Sequence, residues 1–337
     1  MTTNTNSLIV TMAAELLAEE EIDLDAKWDA FDKRAKTIED KFIPALQKMF
    51  TKQETAVLAK LRRTPVPEIR PSEKVVHVGD KVVFPWTRHS LYPDGCGVIK
   101  ELFSGYAVVS LYEKLNYTFR VPFGDIVLLK GSEEAEAASE AYVDAIYTAS
   151  AWQKPFEAMA LPFVALAYKE AGAAAYTEIG FGASFNVTNP RARKFLKDKV
   201  FKFSEEVNAT TREKIRKALV KGLDGGESVR DISQRIADVY DINRGTRTDM
   251  IAQTEIVGAS NNGTHAGYVE SEIVLTKIWI DSRDDRVRDS HRIDGQERKL
   301  NERYSNGLLH PHDPDGPPEE VIRCRCTEAA GKLKEAV

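Results

Sequence analysis

The stretch "VLTKIWIDSRDDRVRDSH", residues 274–291, joins a β-branched and aromatic run to a charged segment that ends in a histidine. The run is typical of a strand, and the segment from Asp284 onward is typical of a turn. A long loop, "GLLHPHDPDGPP", residues 307–318, separates it from "EVIRCRC", residues 320–326, which we interpret as a second strand. The C-terminal part of the chain is therefore predicted to be a compact α+β unit.

Length and composition set the broad class. The chain has 337 residues, enough for two or three domains, and its 42 % hydrophobic and 29 % charged residues exclude wholesale disorder. The net charge of -5 argues against a uniformly basic nucleic-acid surface but leaves room for a local basic face. Only Cys96, Cys324 and Cys326 are cysteines, which favours a reducing cytoplasm. The apolar residues 7–18 lack the flanks of a signal peptide and are too short to span a bilayer, so we expect no membrane partner.

The clearest helical periodicity lies at residues 25–62. Apolar residues alternate at spacings of 3 and 4, as in an a/d seam. The seam consists of Trp28, Phe31, Ala35, Ile38, Phe42, Ala45 and Met49. It predicts a helix that buries one narrow stripe, either within its own chain or on a partner. We therefore predict an N-terminal helical region at residues 1–62.

Changes in composition predict the next boundaries. Three prolines in "RTPVPEIRPSE" indicate an extended linker at residues 63–73. Short β-branched and aromatic runs between Gly, Pro and Asp predict a small antiparallel β-barrel at residues 74–130, similar to SH3-like or KOW-type barrels. Such barrels bind nucleic acid or protein, and a structural insertion is the alternative. Ala- and Glu-rich segments then predict a helical scaffold at residues 131–188.

The most basic stretch of the chain lies at residues 189–223, with eleven Lys and Arg against four acids. A stripe that contacts DNA phosphates would explain a local excess of this kind, and a solvated helix face is the alternative. The candidate DNA-binding residues are Arg191, Arg193, Lys194, Lys197, Lys199 and Lys202.

Five motifs follow one another in the C-terminal third: "AQTE", "KIWIDSRDDRVRDSH", "DGQ", "NGLLHPHDP" and "CRC". Their order and spacing resemble the Mu F-like head morphogenesis family of tailed bacteriophages, the minor capsid proteins encoded next to the portal. The resemblance covers roughly residues 191–327, and we assign residues 189–330 to this domain. The overall prediction is a multidomain α+β protein with a helical scaffold, the small barrel and the compact C-terminal domain.

The family's motif residues can be placed one by one on this chain. The family's Thr-Glu pair falls on Thr254 and Glu255, and its Trp falls on Trp279. Its D-x-R-V-R-x-x-H pattern falls on Asp284 or Asp285, Arg286, Val287, Arg288 and His291. Its Asp-Gly falls on Asp294 and Gly295, and its C-R-C falls on Cys324, Arg325 and Cys326. Two features depart from the family pattern. Arg323 stands where asparagine is usual before the first cysteine, and the β-rich region is not a general feature of the family.

The cysteines two positions apart can present two thiolates on one face of a strand. With His291 they predict a structural zinc site, with His310, His312 or Asp285 as candidates for a fourth ligand. Buried cysteines without a metal are the alternative, because the spacing is not that of a standard zinc finger.

The other motif residues allow two interpretations. Arg286 and Arg288 flank Val287, so we expect the arginines to project together, with Glu255 as their partner, while Val287 enters the core. A metal-dependent hydrolase or nuclease would instead use Glu255 as base, His291 as acid and a metal-bound water as nucleophile. The chain has no phosphate-cradling glycine loop, H-E-x-x-H or G-x-S-x-G, so we favour a protein that is not an enzyme.

The resemblance implies a virion protein of a tailed phage. Such proteins are incorporated with the portal and act in procapsid assembly, genome packaging or DNA ejection. The implied partners are the portal protein and the major capsid or scaffolding protein, with DNA as a further candidate. The implied location is the capsid interior or the vicinity of the portal, after assembly in the host cytoplasm.

Overall fold

A computed structural model describes residues 22–65, 81–85, 94–103, 106–110, 118–122, 127–128, 133–224 and 227–334. Residues 1–21, which include the apolar stretch near the start, lie outside the described residues, as do residues 66–73 of the predicted linker and much of the predicted barrel. Across the described ranges, none of the helices combines the length and the hydropathy that crossing a membrane requires.

Helices make up most of the described chain. The first part contains α1 (Leu24–Leu61), then the strands β1 (Lys81–Pro85), β2 (Asp94–Phe103), β3 (Tyr106–Ser110), β4 (Thr118–Pro122) and β5 (Val127–Leu128). The middle contains α2 (Glu133–Ile146), α3 (Ala149–Glu178), α4 (Pro190–Asp224), α5 (Val229–Arg244) and α6 (Thr246–Ser271). The last part contains β6 (Thr276–Ile280), a 3-10 turn (Asp289–His291), β7 (Glu297–Lys299), α7 (Pro318–Val321) and β8 (Thr327–Ala330). The predicted helical scaffold is confirmed.

The chain divides into two compact units, each assembled from segments that are distant in sequence. Unit 1 comprises Met1–Gln53, Ala149–Ala209 and Tyr240–Val337. Unit 2 comprises Glu54–Thr148 and Thr210–Val239. The consecutive domain boundaries that composition suggests stay predictions.

The apolar stripe of α1 is buried inside its own chain. Within unit 1, the ring of Phe42 is fully buried and lies 5.1 Å from the ring of Phe163 and 6.2 Å from that of Phe203. The predicted seam is correct from Phe31 to Phe42 and then drifts, because a straight helix has 3.6 residues per turn instead of 3.5. The later buried positions are Leu46, Phe50, Gln53, Val57 and Leu61, so Ala45 and Met49 are only half-buried. The hypothesis that this stripe packs on a partner is therefore wrong, and its intramolecular alternative is correct.

A close crossing of α3 and α6 forms the centre of unit 1. Small residues recur every four positions on both helices, with Ala171 and Ala175 on α3 and Gly263 and Gly267 on α6. The crossing is so tight that a Cβ atom on Gly263 would lie within 2.9 Å of the Cα and carbonyl carbon of Tyr168. The spacing of small residues lets the two backbones approach, as glycine commonly does at close contacts.

Unit 2 has a helical core and a β-sheet. Its buried hydrophobic side chains from the described residues are Val57, Leu61, Tyr142, Val143, Ile146, Tyr147, Ile215, Leu219, Ile232 and Ile236. The Tyr142 hydroxyl donates a hydrogen bond of 3.1 Å to the carbonyl of Thr64, and Arg212 bonds both Glu140 and Asp144 at 2.7 Å. These bonds join segments of unit 2 that are distant in sequence.

The β-rich region forms an antiparallel sheet with the strand order β4-β3-β2-β1-β5. Strand β2 pairs with both β1 and β3, and a register shift between Ile99 and Glu101 interrupts its pairing with β3. Among the strands that the structure describes, no pairing between β4 and β5 closes this sheet. The antiparallel sheet is present, and the closed SH3-like barrel stays a prediction.

The C-terminal sheet of unit 1 has three antiparallel strands in the order β7-β6-β8. Strand β6 occupies the centre, with Trp279 opposite Glu328 and Lys277 opposite Ala330 in β8. The predicted second strand was misplaced, because residues 318–321 are helical and β8 begins only at Thr327, after the cysteine pair.

Candidate metal centre

Three predicted metal ligands meet in the interior of unit 1. His291, Cys324 and Cys326 are each at most 2 % exposed, and their ligand atoms lie within 4.8 Å of one another. Nδ1 of His291 is 3.5 Å from Sγ of both cysteines. The turn before β7 supplies the histidine and the segment before β8 supplies the cysteines, so chain topology brings together residues 33 positions apart.

The surroundings of the cluster shift the acidity of all three groups. Burial opposes ionisation of Cys324, but hydrogen bonds from Cys326, His291 and His312 outweigh it and hold the pKa of this thiol well below its ordinary value. The hydrogen bond to Cys324, together with burial, raises the pKa of Cys326. Burial lowers the pKa of His291, but the hydrogen bond to Cys324 and the negative charges of Cys324 and Glu320 together outweigh burial and raise the pKa. These shifts favour a thiolate at Cys324 beside a protonated His291, and a metal ion that binds here would displace the remaining protons.

The backbone around the cysteines is fixed by side chains from other parts of unit 1. The motif residue Thr254 accepts a hydrogen bond of 3.1 Å from the backbone N–H of Arg323. Three side chains donate to carbonyl groups of the C-R-C segment at 2.6 to 3.1 Å: His312, Asn261 and Trp28. Arg323 has a φ of 59°, a left-handed conformation that asparagine adopts more readily than arginine. The family's usual asparagine therefore fits this backbone better than the residue present here.

The other motif residues have structural partners that sequence reasoning did not predict. Glu255 pairs with Lys199 at 2.9 Å, not with the motif arginines. Arg286 is exposed and pairs with Asp284 at 3.1 Å, while Arg288 donates a hydrogen bond to the carbonyl of Ile322. The expected pairing of the arginines with Glu255 was therefore wrong.

Hydrophobic and turn positions of the motif match the roles expected for them. Val287 is buried as predicted, and Trp279 is fully buried with its ring 5.2 Å from that of His291. The Asp294 carboxylate accepts the backbone N–H of Asp281 at 3.0 Å, and Gly295 has a φ of +75° that glycine adopts without strain. These residues shape the turn that carries the histidine.

The candidates for a fourth ligand are in different surroundings. Asp285 is exposed, and His312 is buried with Nε2 bonded to the carbonyl of Cys324 at 2.6 Å. His310 is buried against His265, with ring centroids 4.6 Å apart. In the described residues, the cluster that could hold a metal ion contains only the three ligands named above.

A buried polar network that the sequence did not predict lies between α6 and the C-terminal sheet. Glu328 is fully buried, and its Oε1 atom lies within hydrogen-bond distance of Nδ1 of His265, at 2.9 Å. Lys277 is also fully buried and donates from Nζ to the carbonyl of Leu300 at 2.8 Å. Burial would raise the pKa of Glu328, but His265, His310 and Lys277 together outweigh burial and lower the pKa. The alternation of side chains along β6 and β8 predicts which face of the sheet a residue lies on, but it does not predict the hydrogen-bond partner of that residue.

His310 predicts a pH dependence of stability. Burial first, and then the neighbouring His265, lower the pKa of His310 to about 4 from its usual 6.5. Between these values the unfolded chain binds a proton that the folded chain does not, so the free energy of unfolding falls as the pH is lowered from about 6.5 to about 4. The contribution is at most about 3 to 4 kcal/mol, from about 1.4 kcal/mol per pKa unit.

Chemical denaturation of the wild type and of His310→Gln across this pH range measures the effect. The loss of stability toward low pH is expected to be clearly smaller in the variant. Parallel curves for the two proteins would show that another group causes the pH dependence.

The predicted DNA-binding residues all lie on α4, but they do not form a uniform exposed stripe. Lys194 and Lys202 are exposed, with Asp198 2.6 Å from the first and Glu206 4.0 Å from the second. Lys199 is mostly buried by its pairing with Glu255. Arg191 lines a cavity of about 640 Å³ together with Phe195 and residues of α6 and the C-terminal sheet. Arg193 and Lys197 are exposed. DNA contact through these residues stays a prediction.

Charge reversal tests this prediction. Replacing Lys194, Lys197 and Lys202 by Glu is expected to weaken binding to duplex DNA at least tenfold at low salt. Each phosphate contact releases counterions from the DNA, so a protein that makes fewer contacts gains less free energy from their release. The slope of the logarithm of the binding constant against the logarithm of the salt concentration is expected to become shallower by about 2 to 3. Filter binding at several salt concentrations measures both quantities, and unchanged affinity and slope would move any DNA contact away from α4.

Comparison with known proteins agrees with the motif residues. Residues 213–329 match the family described as Phage Mu protein F like protein. The chain is also 24 % identical over 206 residues to the uncharacterized protein YqbB of Bacillus subtilis (strain 168), a match that covers 58 % of this chain and 67 % of the relative. No solved structure matches the chain. The matched residues include the candidate metal-ligand cluster, β6 to β8 and the motif positions of α6, so residues 213–329 of this chain are similar to the Phage Mu protein F family.

Proposed function

We propose that this chain is a minor capsid protein of a tailed phage that acts at the portal during procapsid assembly, with effects on genome packaging or DNA ejection. The family match over residues 213–329 is the observation that supports the proposal, because this family points to phage head morphogenesis. The portal protein and the major capsid or scaffolding protein are the proposed partners. The proposed location is the capsid interior close to the portal.

The contacts of the motif residues support a structural role. Thr254 holds the backbone before Cys324, and Trp279 packs beside His291 and Tyr304. The carboxylate that a hydrolase would use as its base, that of Glu255, is paired with Lys199 at 2.9 Å. A general base must reach the proton that it removes, and an ion pair of this kind holds the carboxylate in place instead. The motif therefore supports a shape-determining domain better than a catalytic one.

The same unit also ties the N-terminal helix to the family domain. The Trp28 indole donates to the carbonyl of Arg325 at 3.1 Å, and Asp25 pairs with Arg283. Lys27 and the hydroxyl of Tyr268 both contact the carboxylate of Glu178, the latter at 2.6 Å. A domain that packs against two helices from earlier in the chain suits a protein that has to keep its shape within an assembly.

Affinity capture from infected cells tests the proposal. A tagged chain expressed in a host infected by its phage is expected to retain the portal protein together with the major capsid or scaffolding protein. Lysates are treated with nuclease first, so that DNA cannot bridge the proteins, and the untagged chain serves as control. Retention of neither portal nor capsid protein above the control would contradict the assignment to the portal.

A further inference from the structure

A pocket of about 310 Å³ opens beside the candidate metal ligands. All three ligands line it, together with four arginines: Arg286, Arg288, Arg323 and Arg325. Asp284 pairs with two of these arginines, Arg286 and Arg325. The remaining lining residues that the structure describes are Gln253, Ser282 and Val287, so the wall of the pocket carries excess positive charge.

The separations within the cluster match those of ligands that share a metal ion. Zinc binds imidazole nitrogen at about 2.0–2.1 Å and thiolate sulfur at about 2.3 Å in tetrahedral geometry, which places nitrogen and sulfur about 3.6 Å apart. Nδ1 of His291 is 3.5 Å from each Sγ. A pair of hydrogen bonds to one nitrogen would also give this distance, but a neutral imidazole nitrogen has a single lone pair or a single proton for two thiols.

The other nitrogen of His291 has the partner that a metal-binding histidine usually has. Nε2 lies 2.7 Å from Oε2 of Glu320, and the hydroxyl of Ser290 donates to the same oxygen at 2.8 Å. The Nε2 atom makes no aligned hydrogen bond with this carboxylate, but a negative charge so close favours the proton on Nε2 and leaves Nδ1 for the metal. Glu320 is therefore the charged neighbour of the imidazole in this site.

We propose that His291 Nδ1 and the Sγ atoms of Cys324 and Cys326 bind one zinc ion, and that the fourth coordination position faces the arginine-lined pocket and takes water or a small oxyanion. Sulfur and imidazole ligands select zinc over magnesium or calcium. Two thiolates balance the charge of the ion, so the arginines favour an anionic oxygen as the fourth ligand. The inference does not depend on a role in phage assembly.

Metal analysis of the full chain tests the ligand set. The wild type, purified under reducing conditions with its tag removed, is expected to contain about one zinc ion per chain. Cys324→Ser and Cys326→Ser are expected to lose most of it, and Cys96→Ser, the control at the third cysteine of the chain, is expected to retain it. No stoichiometric zinc in the wild type, and none after incubation with zinc, would overturn the proposal.

The wild type alone provides a second measurement in case the serine variants do not fold. A thiol reagent is expected to modify Cys324 and Cys326 slowly in the zinc-loaded protein and much faster after a chelator is added. Equal rates with and without the chelator, read at each cysteine by peptide mass spectrometry, would overturn the ligand assignment.

Cobalt substitution tests the fourth position. The cobalt-loaded chain is expected to show thiolate charge-transfer bands and the strong visible bands of a four-coordinate ion, and inorganic phosphate is expected to shift the visible bands. Arg288→Ala is expected to raise the phosphate concentration needed at least fivefold, whereas Arg292→Ala, which changes an arginine outside the pocket lining, is expected to leave it unchanged. Visible bands that respond to neither phosphate nor imidazole would show a closed site and overturn the open position.

Discussion

Replacement of Gly263 by alanine is expected to destabilise unit 1 by about 3 kcal/mol or more. The added Cβ would lie within 2.9 Å of the Cα and carbonyl carbon of Tyr168, and even closer to its carbonyl oxygen. Both contacts involve backbone atoms in helix interiors, which have no rotamers that could relieve the overlap. Alanine has the better helix propensity, by about 0.5–1 kcal/mol, but this gain does not offset the free energy that is lost when α3 and α6 move apart to make room for the methyl group.

Gly182→Ala is the matched control, because a Cβ at that position would meet nothing within 4 Å. Denaturant unfolding of the two variants, followed by tryptophan fluorescence and circular dichroism, measures the difference. Similar stabilities for both variants would show that α3 and α6 are not packed as closely as the structure has them.

Replacement of Phe42 by alanine is expected to cost about 3–5 kcal/mol of the free energy of unfolding. The side chain is fully buried among the rings of Phe163 and Phe203, so its removal leaves a cavity that rigid helices on both sides do not fill. We expect this loss of stability in the isolated chain, without any partner, because the ring of Phe42 is buried against other rings of unit 1.

Met49→Ala is the informative comparison for the register of α1. Met49 belongs to the heptad seam that the sequence predicts, but it is only half-buried, so its replacement is expected to cost less than half as much as that of Phe42. Denaturation of the two variants in parallel gives the difference. An equal or larger cost at Met49 would favour the strict heptad register over the one in the structure.

The sequence predicts those features that depend on local patterns. The apolar spacing of α1 gave its bounds almost to the residue, Leu24–Leu61 against residues 25–62, because a helix buries one side at a regular period. The register in its second half was wrong, because the drift of a straight helix becomes visible only over several turns. The alternating run around Trp279 predicted β6 for the same local reason.

Features that depend on long-range contacts were only partly predictable. His291 and the cysteine pair could be grouped from the family motif, but their common distance of 3.5 Å depends on a 3-10 turn and on a segment without regular structure that the sequence suggested was a strand. Glu320 was missed, since an acid that follows a proline-rich loop gives no sign of its partner. The pairing of His265 with Glu328 was missed because it joins residues 63 positions apart.

The amount of this chain in purified procapsids tests the central claim most directly. Procapsids are isolated on density gradients from cells infected with a phage that lacks the gene, complemented with either the wild type or Gly182→Ala. We expect both proteins to sediment with the procapsids at a constant ratio to the portal protein, and heads formed without the chain to package DNA poorly or to lose infectivity. A chain that stays at the top of the gradient, while heads assemble, package and infect normally without it, would show that it is not a head morphogenesis protein.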